Sequence, residues 1–183
     1  MKLKLSFCQA DKQDAAEMTA LINLAYRGES SRKGWTTEAD LLEGRRTDID
    51  EVLRLLAEEN SLFVLCKLDS TIQASVHLQN TREGVHIGML AVNPSQQGRG
   101  IGKALLQAAE IVAQQTWSAN RLVMSVISCR HELIAFYERC GYQRTGISKE
   151  FPVNPLLWTA KVEDLWLELL EKNLTGSTTD NIP

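Results

Sequence analysis

Gly98, Gly100 and Gly102 alternate through the run Gln96-Gln97-Gly98-Arg99-Gly100-Ile101-Gly102-Lys103. The run follows an apolar, strand-like stretch at Ile87–Val92 and opens a helix-like one at Ile101–Leu106. At a strand-to-helix junction several backbone N–H groups converge on one point, and the helix N-terminus adds partial positive charge there. That is the chemistry of a phosphate cradle. Glycine suits it because a Cβ would block the ligand's approach and restrict positive-φ conformations. A phosphorylated ligand is therefore expected here, held largely by main chain.

Spacing separates the familiar phosphate loops. Dinucleotide and kinase loops read G-x-G-x-x-G, whereas the glycines here run G-x-G-x-G. The ATP/GTP loop needs four residues before its Gly-Lys pair and then Ser or Thr. Here three intervene, and Lys103 is followed by Ala104. What fits is Gln97-x-x-Gly100-x-Gly102, which resembles the [R/Q]-x-x-G-x-[G/A] loop of the GNAT superfamily of N-acetyltransferases. Some thirty-five residues on, Phe136-Tyr137-Glu138-Arg139-Cys140-Gly141-Tyr142 is similar to that family's second motif, F-Y-x-x-x-G-[F/Y]. The resemblance runs over roughly residues 3 to 172 and is to small, bacterial-type members.

The resemblance implies acyl transfer from acetyl-CoA to an amine in a ternary complex. The backbone of Leu90, Ala91 and Val92 would pair with the pantetheine arm, as an added strand does. The N–H groups of Gln97, Gly98, Arg99, Gly100, Ile101, Gly102 and Lys103 would hold the pyrophosphate. Tyr137 would meet the coenzyme sulfur. A thiol near pKa ~8.5 is a weaker base than a phenolate near ~10, so full proton transfer is uphill by about 1.5 units and a hydrogen bond is the better description. Histone-type members carry a glutamate base six residues before the end of the strand feeding the loop, and that position here is His86. A neutral histidine can take a proton, but water chains do this work in many relatives. His77, on the neighbouring strand, is a lesser candidate. Arg130 stands where many members have an asparagine contacting the arm. It cannot accept hydrogen bonds, though it could pair with a phosphate or carboxylate. Acceptor recognition would fall to the segments holding Glu29, Trp35 and Trp158, a carboxylate and two aromatic walls for a cationic amine. The expected acceptor is a small-molecule amine. A protein lysine or N-terminal amine, and a non-catalytic coenzyme-binding sensor, stay as alternatives, and a homodimer stays open.

The composition of the 183-residue chain bounds these readings. Hydrophobic residues make up 44% and charged ones 23%, a usual balance for a globular protein. A net charge of −3 lacks the basic excess that nucleic acid requires. No apolar run has the length of a signal peptide or a membrane span, so a cytoplasmic location is expected. Cys8, Cys66, Cys129 and Cys140 are scattered without a C-x-x-C pair, which reads as reduced, buried thiols and no metal site.

Elements must position all of this. Alternation at Leu3, Leu5 and Phe7 predicts a first strand. The spacing of Ala15, Met18, Leu21, Ile22 and Ala25 predicts a helix over Asp11–Tyr26. Arg27–Thr37 reads as loop. Helical pieces are expected at Glu38–Leu42 and Ile49–Glu59, the latter with Ile49, Val52, Leu53, Leu56 and Ala57 on one face. Strands are expected at Ser61–Leu68 and Ile72–Gln79 around a tight turn at Asp69-Ser70, then at Val85–Val92. A helix over Gly100–Thr116 carries a stripe of Ile101, Leu105, Ala108 and Val112. Arg121–Ile127 reads as strand, His131–Cys140 as helix stopped by Gly141, and Tyr142–Ile147 as strand. Leu165–Glu171 has helical propensity but alternates, and is taken as the last strand. The fold class expected is α+β, the GNAT fold with a mixed, V-splayed sheet flanked by helices. It occupies one domain over residues 1–174, with a disordered tail at 175–183.

Overall fold

The computed structural model describes residues 5–174. The expectation for 175–183 falls outside them. Among the described residues, nine strands and five α-helices follow the predicted order once three short elements are added and the helix expected at Glu38–Leu42 is dropped. The strands are β1 (Leu5–Gln9), β2 (Leu42–Gly44), β3 (Ser61–Leu68), β4 (Thr71–Thr81), β5 (Gly84–Val92), β6 (Arg121–Ile127), β7 (Gln143–Glu150), β8 (Trp158–Ala160) and β9 (Trp166–Asn173). The helices are α1 (Ala15–Tyr26), α2 (Gly28–Ser31), α3 (Ile49–Ala57), α4 (Ile101–Trp117) and α5 (His131–Arg139). Seven strands form a mixed sheet in the order β1-β3-β4-β5-β6-β9-β7, and β2 pairs with β8 apart from it.

Helices cover both faces, so β3 and β4 carry near-continuous buried runs rather than alternation. Leu62, Val64 and Cys66 of β3 join α4 and α5 in one core. Phe63 and Leu65 join α1 and α3 in the other. Each fully buried Phe, Leu or Ile contributes roughly 1.5–3 kcal/mol, so two small cores carry the sheet. The β3–β4 turn is the expected one: Asp69 and Ser70 both take positive φ, 49° and 70°. β9 lies between β6 and β7, antiparallel to both. Its two ladders override the helical propensity of its Leu and Glu residues.

Several expectations need correction. Glu38–Leu42 makes a single turn, with Leu41 and Leu42 both donating to the Glu38 carbonyl, and then extends into β2. The Glu38 side chain is buried in ion pairs, and Gly44 at φ 101° lies so close to the Leu157 carbonyl that no Cβ would fit. Tertiary contacts thus end the turn. Gly28–Ser31, read as loop, is a short helix. On α3, capped by the Asp48 carboxylate accepting from the Glu51 N–H, Val52 and Leu55 are buried while Ile49 is exposed. On α4 the buried stripe is Ile101, Leu105, Leu106, Ala109 and Ala113, with Ala108 and Val112 at its margin. All four cysteines are free, but Cys8 and Cys129 are exposed, Cys8 on the edge strand β1. Among the described residues no helix is long and apolar enough to cross a membrane.

Candidate functional site

The sheet opens at its centre. β5 and β6 run parallel and pair only from Val85–Leu122 to Ile87–Met124, yet β5 continues to Val92 and β6 to Ile127. On the other side of β5, Gly88 faces His77 and Ala91 faces Ser75. Met89 and Leu90 therefore oppose the single residue Val76, a β-bulge, with Met89 at φ 47°. A bulge bends the strand and re-aims its main-chain groups. The Leu90 carbonyl accepts from the Tyr26 hydroxyl at 2.8 Å, which fixes the end of α1 against the opening.

Two cavities meet at this gap. A narrower one of about 190 Å³ is lined by Trp35, Val92, Gln97, Gly100, Phe136 and other residues of the glycine turn. A broader cleft of about 490 Å³ runs past His86, Arg130 and Trp158. Tyr26, Leu90, Leu133 and Tyr137 line both and form the constriction between them.

The glycine turn has the conformation its residues require. Gly98 and Gly100 take φ 77° and 81°, and a Cβ on either would project into open space. That space lies directly ahead of α4, which starts behind it with Ile101 buried. Gly102 is packed, its Cβ position 3.5 Å from Val92 and 3.7 Å from Phe136. The Gln97 side chain braces the turn: its Oε1 accepts from the Trp35 N–H at 2.9 Å, and its Nε2 donates to Thr36 Oγ1 at 2.8 Å and to the Val92 carbonyl at 3.2 Å. Gly34 leaves the space this side chain occupies, since a Cβ there would lie 2.5 Å from Gln97 Oε1. Arg99 turns aside to Gln96 Oε1 at 2.6 Å, and Lys103 is exposed at the rim.

Tyr137 is 6% exposed, with ring contacts to Phe136 and Tyr142 at centroid distances of 5.3 and 6.0 Å. Among the described residues its hydroxyl makes no hydrogen bond. Burial, aided by the neighbouring Tyr26 and opposed by Arg130, pushes its pKa up, so it keeps its proton. Tyr26 is raised in the same way, chiefly by burial.

His86 faces the broad cleft, with Glu83 Oε2 at 3.8 Å from its Nε2. Burial lowers its pKa against the opposing pull of Glu83, leaving the ring neutral at pH 7. His77 also lines the cleft, but its Nε2 bonds Ser61 Oγ at 2.8 Å and burial drops its pKa to about 4. Trp158 stands on the same cleft, held by its indole N–H on the Pro152 carbonyl at 3.2 Å. Arg130 lies on the cleft as well, its Nη1 3.1 Å from Glu38 Oε1. Trp35 instead packs edge-on against Phe136 at 5.6 Å, on the glycine-turn side. Glu29 lines neither cavity. It is solvent-exposed and paired with Arg32 at 2.8 Å.

Sequence reasoning placed the loop from Arg27 to Glu38 on the acceptor side without singling out either residue, and it missed Tyr26 and Arg46; all four line the broad cleft. Arg27 and Arg130 share the Glu38 carboxylate, and all three side chains are buried. No spacing marks that set, because residues 27, 38 and 130 meet only in the fold.

The opened sheet, the glycine turn at a helix start and the constricting tyrosine together define an acyl-coenzyme transferase architecture. The chain belongs to the acetyltransferase (GNAT) family, whose family model matches residues 17–142. Members of this family use acetyl-CoA. A glucosamine 6-phosphate N-acetyltransferase from Candida albicans is 34% identical over 62 residues, covering 34% of this chain and 39% of the relative's length. A ribosomal-protein alanine N-acetyltransferase from Escherichia coli superposes with a TM-score of 0.69 at 12% identity, over 95% of this chain and 97% of that one. A putative acetyltransferase from Salmonella typhimurium, solved with acetyl-CoA, gives 0.68 at 18% identity over 94% and 95%. At such identities the likeness concerns the fold.

Proposed function

We propose that this protein transfers an acetyl group from acetyl-CoA to a primary amine of a small molecule, by direct attack in a ternary complex. The observation that carries this is Tyr137 at the constriction, lining both the glycine-turn cavity and the broad cleft. A donor entering from one side and an acceptor from the other would meet there. The open space at Gly98 and Gly100, ahead of α4, fits a pyrophosphate. The N–H groups of residues 97–103 would hold it, and the main chain of Leu90, Ala91 and Val92 would take the pantetheine arm. When bound, acetyl-CoA supplies the activated thioester.

The chain's own groups do the rest. The Tyr137 hydroxyl donates a hydrogen bond to negative charge developing at the constriction and keeps its proton, because burial makes phenolate costly. An alkyl ammonium near pKa ~10.4 loses its proton at pH 7 at a cost of about 4.6 kcal/mol. His86, neutral on the cleft wall, accepts that proton directly or through water. Trp158 supplies an apolar wall to the acceptor. The Candida relative is named for a phosphorylated amino sugar and the Escherichia structure for a protein alanine. A cleft of about 490 Å³ favours the smaller acceptor.

The test is release of the coenzyme thiol from acetyl-CoA with a panel of small amines and short peptides. Amine-dependent release supports transfer. Tight coenzyme binding without release for any amine would leave a coenzyme-binding protein and end the transferase reading.

A further inference from the structure

The broad cleft carries a charge opposite to that of the chain. The protein's net charge is −3, yet the cleft lining contains Arg27, Arg46 and Arg130 against Glu38 as its one carboxylate. Arg27 and Arg130 both spend their ion pairing on Glu38, so that buried group of three keeps a net positive charge. Arg27 Nε is buried with no partner among the described residues. Arg46 makes no ion pair with any described carboxylate. Its backbone N–H is anchored on Asn23 Oδ1 at 2.7 Å, and its guanidinium carbon lies 5.8 Å from the Tyr26 ring centroid. The guanidinium is thus presented beside the constriction by a fixed piece of chain.

The surroundings offset little of this. Glu58 lies behind the wall, accepting from Gln79 Nε2 at 3.0 Å, and Glu83 is mostly exposed at the rim near His86. Lys149 adds positive charge on the His86 side, where Arg121 is paired with Glu171. Net charge in a partly desolvated cleft is costly until an opposite charge enters, and a cleft of one sign concentrates ligands of the other. A polyamine would meet like charge on this wall.

Resting on the transferase reading above, we propose that the acceptor carries, besides its amine, an anionic group, a carboxylate or a phosphate, bound by Arg46 and Arg130. Both groups offer paired oxygens to the guanidinium fork, whereas an alcohol or a second amine does not. The acceptor is an amino acid or a phosphorylated amino sugar rather than a neutral amine or polyamine.

The experiment compares kcat/KM for matched acceptors, read as coenzyme thiol release by the intact protein. One arm pairs amino acids with their decarboxylated amines. The other pairs phosphorylated amino sugars with the unphosphorylated sugars, and spermidine serves as the cationic control. In at least one arm the anionic member is expected to exceed its partner tenfold or more, and the arm that does so identifies the anion. Arg46→Met should bring that ratio down toward one, while Arg46→Lys retains part of it. Calorimetry with acetyl-CoA on each variant reports whether the coenzyme site survives. Equal or better turnover of the neutral or cationic acceptors, or a ratio unmoved in Arg46→Met, overturns the inference and leaves transfer itself standing. Absence of thiol release with every amine overturns transfer, and the anionic acceptor with it.

Discussion

Tyr137 lines both cavities, and its hydroxyl bonds none of the described residues, so its proposed role rests on that hydroxyl alone. Tyr137→Phe keeps the ring packing on Phe136 and Tyr142 and removes only that hydroxyl. We expect kcat to fall tenfold or more, about 1.4 kcal/mol, with a much smaller change in acetyl-CoA affinity, because the hydroxyl acts on charge that appears in the transition state. Single-turnover kinetics beside calorimetry separate the two, and a wild-type kcat would reduce Tyr137 to a packing residue. His86 offers a pH test with a definite sign. Protonated imidazole cannot accept the amine's proton, so kcat/KM should rise with pH as His86 deprotonates. Burial places that limb below the usual histidine value of ~6.5. In His86→Ala, measured with the same acceptor, the limb should vanish. Identical profiles would assign deprotonation to water or to another group.

Among the elements, the glycine turn restricts substitution through its backbone conformation rather than through crowding. Gly100 holds φ 81° immediately before α4, a region β-branched residues avoid. Gly100→Val should weaken acetyl-CoA binding at least tenfold by calorimetry, and unchanged affinity would remove the turn from the coenzyme site. Much of this was legible beforehand because it is local: the β3–β4 turn at Asp69-Ser70, the bounds of β6 and the stop at Gly141 (φ 93°) follow from neighbouring residues. The β2–β8 pair was not, since each strand has three residues and exists only because residues 42–44 meet 158–160. The same holds for the cleft charges. Arg130 was singled out from one motif and Glu29 from one loop, but the carboxylate that reaches Arg130 is Glu38, 92 residues away. Gln97 was noted for its place in the turn, while its side chain's hold on Trp35 and Thr36 depends on Gly34, 63 positions earlier.

At the scale of the whole molecule, acid sensitivity is set in part by His77. Burial holds its folded pKa at about 4, against ~6.5 in an unfolded chain. Above ~6.5 neither state is protonated and the full stability is present. As pH falls from ~6.5 toward 4 the unfolded chain takes up a proton that the folded one refuses, and stability drops by about 2 kcal/mol by pH 5. Urea unfolding at pH 7.5 and 5 should show that loss in the wild type and a smaller one in His77→Gln. An equal loss in both would place the sensitivity elsewhere. The opened sheet has a further consequence, for cooperativity. Among the described residues three main-chain pairs join β1-β3-β4-β5 to β6-β9-β7 at the centre, so the two halves need not open together. Amide hydrogen exchange on the apo protein should resolve two protection levels, one for each group of strands. Acetyl-CoA, bound along Leu90–Val92 as proposed, would fill the gap between the halves, and at a hundredfold over its Kd it adds about 2.7 kcal/mol to the folded state. The two levels should then merge into one, making the coenzyme the missing strand through which the halves unfold as a single unit.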